Sequence, residues 1–197
     1  MYKDPPLADR VNSFAVVTYI PDPLAGFLDR LRQELVPNCF LRAHVTVLPP
    51  RAISSTPEEA WHVVQALVPS FAPFEIEMTD VEVFPVSDVI YIHIGAGYKE
   101  LQQMHDVLNV DGLRCRESFP YEPHVTLAQD LKPDEVDELT RVARERWAEY
   151  SISRKFSVEK LLFVQNTRRN QWIDLGESAL GHDDSRLVGE LTDLVYG

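Results

Sequence analysis

Cysteine is nearly absent. Cys39 and Cys115 are the only two in 197 residues, too few for a disulfide framework or a zinc set. They leave the expectation of two reduced thiols in a cytosolic, cytoplasmic protein. Positive charge is scarce as well: 19 Lys and Arg stand against 31 Asp and Glu, a net charge of −12. A protein that grips long nucleic acid by counterion release is usually basic. No duplex partner is therefore expected, and any bound phosphate must be met by a local set of donors. No apolar run approaches the ~18 residues of a membrane span. No basic stretch leads into an apolar segment near the N-terminus, so neither a membrane partner nor a signal peptide is expected. Linkers and low-complexity segments are missing too. What remains is ordinary globular composition, 45% hydrophobic and 25% charged. A chain this long buries roughly 70% of its unfolded surface, and residues 1–197 are expected to form a single bilobal domain.

The hydrophobic pattern switches repeatedly between periods of two and 3.6. SFAVVTYI (13–20) reads as a strand. In the helix expected over 21–36, Leu24, Phe27, Leu28, Leu31 and Leu35 share one face, with Asp22 as N-cap and Pro23 at the first helical position. A strand over 39–50 is stopped by Pro49-Pro50. Thr56-Pro57-Glu58-Glu59 has the form of a capping box, and its helix turns Trp61, Val64, Leu67 and Val68 inward. Strands follow at 74–84, with a bend, and at 89–95. Tyr98, Leu101, Met104, His105 and Leu108 mark a helix. A strand at 122–129 and a helix at 132–150 come next, then a hairpin of 156–166 with 171–178 around Thr167–Asn170. A short helix is expected within 183–196. Alternating strands suit sheets with one open face. The fold class is α+β: two antiparallel or mixed sheets around a central groove, with helices packed outside.

One short motif occurs twice. HVTV stands at 44–47 and HVTL at 124–127. Side chains alternate across a strand, so His44 and Thr46 share one face, about 7 Å apart, while Val45 and Val47 share the other. His124 and Thr126 are related to Val125 and Leu127 in the same way. If the two strands meet, two imidazoles and two hydroxyls converge. That set suits phosphodiester chemistry without a metal or other cofactor. One neutral imidazole takes a proton from a nucleophile, and one imidazolium gives a proton to the leaving oxygen. The threonine hydroxyls donate to non-bridging phosphoryl oxygens.

These paired H-x-T-x motifs, each closed by an aliphatic residue and 80 positions apart, resemble the 2H phosphoesterase superfamily, also called the 2′-5′ RNA ligase-like or LigT-like family. The likeness covers roughly residues 12–178, including the closing strand pair with Trp172. It implies a bilobal α+β fold with a central groove, and a metal-free activity on 2′,3′-cyclic phosphates or related phosphodiesters. It also implies that His44 and His124 are catalytic and that Thr46 and Thr126 bind the phosphate. Members often carry proline just before each motif; Pro123 matches and Ala43 does not. A basic residue often follows the second motif, where Gln129 stands. Opening to a 2′-phosphate, the family precedent, makes His124 the base; the sequence itself leaves the two roles unassigned.

Other residues are weighed against this pair. Arg51 and Arg168 are candidate phosphate or nucleotide contacts, and Arg42, Arg114, Arg116 and Arg169 belong to the same group. Tyr91, alternating with Ile90 and Ile92, points into the groove to stack a base; His93 shares its face. His105 reads as a packed histidine, and His62 and His182 as exposed. Phe119 and Tyr121 read as core packing beside the second motif. The expected reaction is hydrolysis of a cyclic phosphate on a small nucleotide or RNA terminus by a monomer. The rivals are an ATP-independent RNA ligase using the same site, a non-catalytic RNA- or nucleotide-binding module, and a structural protein in which the motif strands are merely edges.

Overall fold

The structure, a computed structural model, describes residues 7–37, 39 and 41–181; the helix expected within 183–196 and His182 lie outside them. Eight strands and four α-helices are found there. They run β1 (Arg10–Tyr19), α1 (Leu24–Leu35), β2 (His44–Arg51), α2 (Pro57–Leu67), β3 (Phe74–Val83), β4 (Ile90–Ile94), α3 (Tyr98–Leu108), β5 (His124–Ala128), α4 (Val136–Glu149), β6 (Lys155–Val158), β7 (Lys160–Thr167) and β8 (Trp172–Ala179). They form two four-stranded sheets, β2-β1-β7-β8 and β5-β4-β3-β6. Every strand pairing is antiparallel. The α+β class holds. No helix among the described residues is long and apolar enough to cross a membrane.

The two motif strands occupy equivalent places. β1-α1-β2 and β4-α3-β5 are each a strand, a helix and an antiparallel return strand, and in both the return strand is the sheet edge that carries the motif. The phase read from the sequence is kept. Val45, Val47 and Val125 are 0% exposed and Leu127 1%, while His44, Thr46, His124 and Thr126 sit half-buried on the other face. Four aliphatic side chains removed from water contribute roughly 1.5–3 kcal/mol each. A slip of one residue would bury the histidines instead. Helix α1 of the first half packs against β5 of the second, and α3 packs against β2, so the halves share one core.

Local expectations fare differently. Thr56 and Glu59 form the capping box in full, worth about 1 kcal/mol. Asp22 is not the N-cap of α1: Pro23 holds that place and the helix begins at Leu24, although the Asp22 carboxylate, one residue further out, accepts from the Gly26 N–H at 3.0 Å. Pro49 and Pro50 do not end β2, which runs on to Arg51 opposite Phe14. An edge strand has one row of backbone N–H groups without a ladder partner, so proline is tolerated there. The expected strand 156–166 is two: β6 pairs with β3 and β7 with β1, with Glu159 between them, so the chain changes sheets. The expected bend in β3 is a register shift between Met78 and Val81. Helix α4 starts at Val136, four residues later than the acidic run suggests.

Candidate functional site

The two motif strands are in contact with one another. The phenol of Tyr121, three residues before His124, donates to the Thr46 carbonyl at 2.7 Å. The imidazoles are close enough that a charge on His124 disfavours one on His44. This closeness weighs against the rival in which the motif strands are unrelated edges.

Each imidazole is held the same way. His44 Nδ1 lies 2.7 Å from the Arg42 carbonyl, and His124 Nδ1 lies 2.6 Å from the Glu122 carbonyl. A carbonyl oxygen only accepts, so Nδ1 carries the proton in both rings. The Nε2 atoms are thereby left as the proton-exchanging positions. Burial lowers the pKa of both. His44 is pushed down to about 4, by burial first and then by the cations of Arg32 and His124, against the Arg42 carbonyl. His124 is lowered by burial too, but the Glu122 carbonyl and carboxylate pull it back up.

The surroundings of the two rings differ. Around His44, Arg32 of α1 is buried and donates to the carbonyls of Leu41 and Arg42 at 3.0 and 3.3 Å. Asp29 of α1 accepts from the Ala43 N–H at 2.7 Å; a proline at 43 has no such donor. His44's cross-strand neighbour is Tyr19, whose hydroxyl donates to Asp174 at 2.6 Å. The Arg42 guanidinium lies 3.6 Å from the Tyr19 ring centroid and 3.6 Å from the Asp174 carboxylate, with its side chain 63% exposed. These residues border a cavity of about 210 Å³ with Lys160, Leu162 and Glu177. The sheet face beside it is apolar, built from Ala15, Val17, Leu162 and Val164, with Tyr19 and Trp172 at its margin.

Around His124 the partners are aromatic and acidic. The Phe84 and Tyr91 rings stack at 3.9 Å, and both meet the imidazole edge-on, at 5.0 and 5.4 Å. Tyr91 is the cross-strand neighbour of Thr126, and His93 that of His124. Tyr91 is 5% exposed and donates to Glu82 at 2.8 Å, and burial with the Glu82 carboxylate raises its pKa. The Glu122 carboxylate accepts from Tyr98 at 2.7 Å and stands 3.9 Å from His93. Burial and that carboxylate raise the Tyr98 pKa to about 12.

Tyr91 is therefore beside the site, although it packs on His124 more than it faces solvent. The two arginines expected to meet phosphate are elsewhere. Arg51 is buried, paired with Glu117, and donates to Asn109 at 2.7 Å and to the Leu113 carbonyl at 3.0 Å. Its guanidinium is spent on the interior. Arg168 is exposed in the β7–β8 turn. It follows Thr167, which pairs with Arg10 at the start of β1, whereas His44 pairs with Tyr19 at its end. The length of the strand, roughly 30 Å at ~3.3 Å per residue, separates it from the histidines. Phe119 is 62% exposed rather than packed; Tyr121 is half-buried, and His105 is packed as expected. Sequence reasoning missed Tyr19, Asp174, Phe84 and Glu122. Only Glu122 had a signal, since each HxT is preceded at i−2 by the residue whose carbonyl holds the ring, Arg42 in the first copy and Glu122 in the second. Among the described residues no group of three or more His, Cys, Asp or Glu side chains is arranged to hold a metal ion.

A family model described as the 2′-5′ RNA ligase superfamily matches residues 20–170. The chain belongs to that superfamily. This 2H phosphoesterase is 21% identical over 182 residues to "Putative phosphoesterase BH1439" of Halalkalibacterium halodurans, covering 87% of this chain and 99% of that protein. It is 30% identical over 88 residues to "Putative phosphoesterase OB1230" of Oceanobacillus iheyensis, but spans only 49% of that relative. Among solved structures it is similar to E. coli LigT in its apo form, with a TM-score of 0.62 at 16% identity, covering 88% of this chain and 98% of that one. The complex of E. coli LigT with 3′-AMP gives a TM-score of 0.59 at 14% identity, covering 88% and 99%. At such identities these neighbours speak for the fold.

Proposed function

We propose that this 2H phosphoesterase hydrolyses 2′,3′-cyclic phosphates on small nucleotides or RNA termini, with His44 and His124 as the acid–base pair and its two halves working as one unit. The observation that carries the reading is the matched pair of imidazoles, each with Nδ1–H tied to the carbonyl two residues before it and each with a threonine on the same strand face. E. coli LigT structures hold 3′-AMP, ATP and NADP+. That supports a nucleotide as the ligand here.

The electrostatics divide the labour. A bound phosphodiester is an anion and raises the proton affinity of both rings. His124, beside Glu122, takes the proton first; His44, beside Arg32, stays neutral. His44 Nε2 then removes a proton from water, and the water oxygen bonds to phosphorus. The bond from phosphorus to one ribose oxygen breaks, and His124 Nε2 delivers its proton to that oxygen. Each transfer contributes typically about 10²–10⁴ in rate. The Thr46 and Thr126 hydroxyls donate to the non-bridging oxygens as negative charge gathers there. This division is the reverse of the one the family precedent implies. Arg42, exposed and held by one ion pair at 3.6 Å, takes the phosphate-contacting part that Arg51 and Arg168 do not fill. Tyr91 backs the second imidazole. The reaction as written uses no metal.

The test is turnover of 2′,3′-cyclic mononucleotides beside oligoribonucleotides with cyclic-phosphate and 5′-hydroxyl ends, with the product isomer read by phosphorus NMR. Hydrolysis insensitive to a chelator is the expected outcome. Joining of the two ends instead of hydrolysis identifies a ligase; binding without turnover identifies a non-catalytic module.

A further inference from the structure

The two histidines sit on the edges of two different sheets, and no strand pairing joins those edges. Some other contact must set their separation. The segment 109–121, between α3 and the second motif, is fastened to β2 at two places. Near His44 the Tyr121 hydroxyl donates to the Thr46 carbonyl at 2.7 Å, a bond between residues 75 positions apart. At the far end of β2, Arg51 pairs with Glu117 and donates to the Leu113 carbonyl and Asn109 side chain. Asn109 in turn holds the Cys115 N–H at 2.8 Å and the Cys115 carbonyl at 3.2 Å. His105 joins the two fastenings: its Nε2 lies 3.0 Å from Glu117, and its ring stacks on Tyr121 at 4.2 Å with planes 5° apart.

We infer that Tyr121 is a positioning residue whose phenol, bonded to the Thr46 backbone, sets the distance between the two imidazoles. The hydroxyl acts on the backbone of the first motif from a residue covalently three positions ahead of the second. One side chain therefore couples both halves of the site without touching substrate. The residues around it, His105, Glu117 and Arg51, keep the ring upright. A phenol so enclosed stays protonated, since burial and the carboxylates of Glu117 and Glu122 raise its pKa, and the bond persists across the working pH range.

Tyr121→Phe removes the hydroxyl and keeps the ring on His105. The expected result is a fall in kcat of about 10-fold on a 2′,3′-cyclic nucleotide, because a misplacement of reacting groups acts on the chemical step. KM stays within about twofold, and the melting temperature falls by no more than about 4 °C. Glu117→Gln, which loosens the same support from its other side, is the second variant, with kcat about threefold lower and KM unchanged. The kinetic arm rests on the phosphodiesterase reading. A second measurement does not: imidazole nitrogen NMR during titration with inorganic phosphate. In the unaltered protein both rings respond at one phosphate concentration. In Tyr121→Phe the response splits, the two rings shifting at different phosphate concentrations. If the unaltered protein turns over no cyclic phosphate but shows this contrast, the function falls and the positioning role stands. Undiminished kcat in folded Tyr121→Phe and Glu117→Gln, or an unaltered phosphate response, overturns the role of Tyr121.

Discussion

The environments of His44 and His124 are built on one plan and finished differently. Both rings hang from the carbonyl two residues earlier, both stand at a sheet edge, and both share a face with threonine. The fixed charge that acts on the first is the Arg32 cation; on the second it is the Glu122 carboxylate. The first is bordered by Tyr19, Arg42 and an open cavity, the second by the Phe84–Tyr91 stack. A repeated motif supplies two equivalent imidazoles; the flanking charges, Arg32 on one and Glu122 on the other, make their proton affinities unequal. The difference lies in residues outside the motif.

Breaking either copy tests the pair most severely. His44→Ala and His124→Ala are each expected to lower kcat by at least ~10², with neither activity restored by added metal; unchanged turnover in one variant removes that ring from the mechanism. Next in size is the contrast of flanking groups. Arg42→Gln is expected to raise KM by about 5- to 10-fold while leaving kcat nearly alone, as loss of uniform phosphate binding does. Glu122→Gln removes the carboxylate that sustains the His124 imidazolium, so its pKa falls further. Activity at pH 7 then drops several-fold and the pH–rate optimum moves to lower pH; an optimum that stays put sinks the assignment of His124 as acid.

Stability against pH sharpens the same comparison. The folded pKa of His44 is about 4, below the ~6.5 of an unfolded histidine. Between these values the unfolded chain binds more protons, so this residue's contribution to stability falls as pH drops from ~6.5 to about 4 and is level outside that window. His44→Asn is expected to flatten the melting temperature in that range more than His124→Asn does. The smallest effect is expected of Arg168→Ala, within about twofold of the unaltered turnover, because Arg168 stands at the far end of β1 from the histidines.

The alternation of HVTV and HVTL made the faces of β2 and β5 legible, and the capping box at Thr56 was legible because its bonds are local. Arg51 was not. A cation seven residues after a motif histidine reads as a ligand contact, and only the tertiary arrangement brings Glu117 and the Leu113 carbonyl to it. The proline pair misled because its effect depends on whether β2 is an edge, a property of the sheet rather than of the strand. The break at Glu159 was hidden for a similar reason: only the charged pair Glu159-Lys160 interrupts the two apolar stretches, and which sheet each joins is decided by partners about 80 to 150 residues earlier. Arg42 was visible as one of several arginines, but its place over Tyr19 was not.

The pairing of β1 with β7 has a consequence for biosynthesis. β1 lies inside its sheet, between a strand made early and one made near the chain's end. During synthesis the first half is finished some 110 residues before β7 is made, and until then one side of β1 has no partner. The His44 strand thus rests on an incomplete sheet while the rest of the chain emerges, and such long-range closure is slow. A nascent chain, or one truncated before β7, therefore carries the first motif on a sheet that is still open on one side.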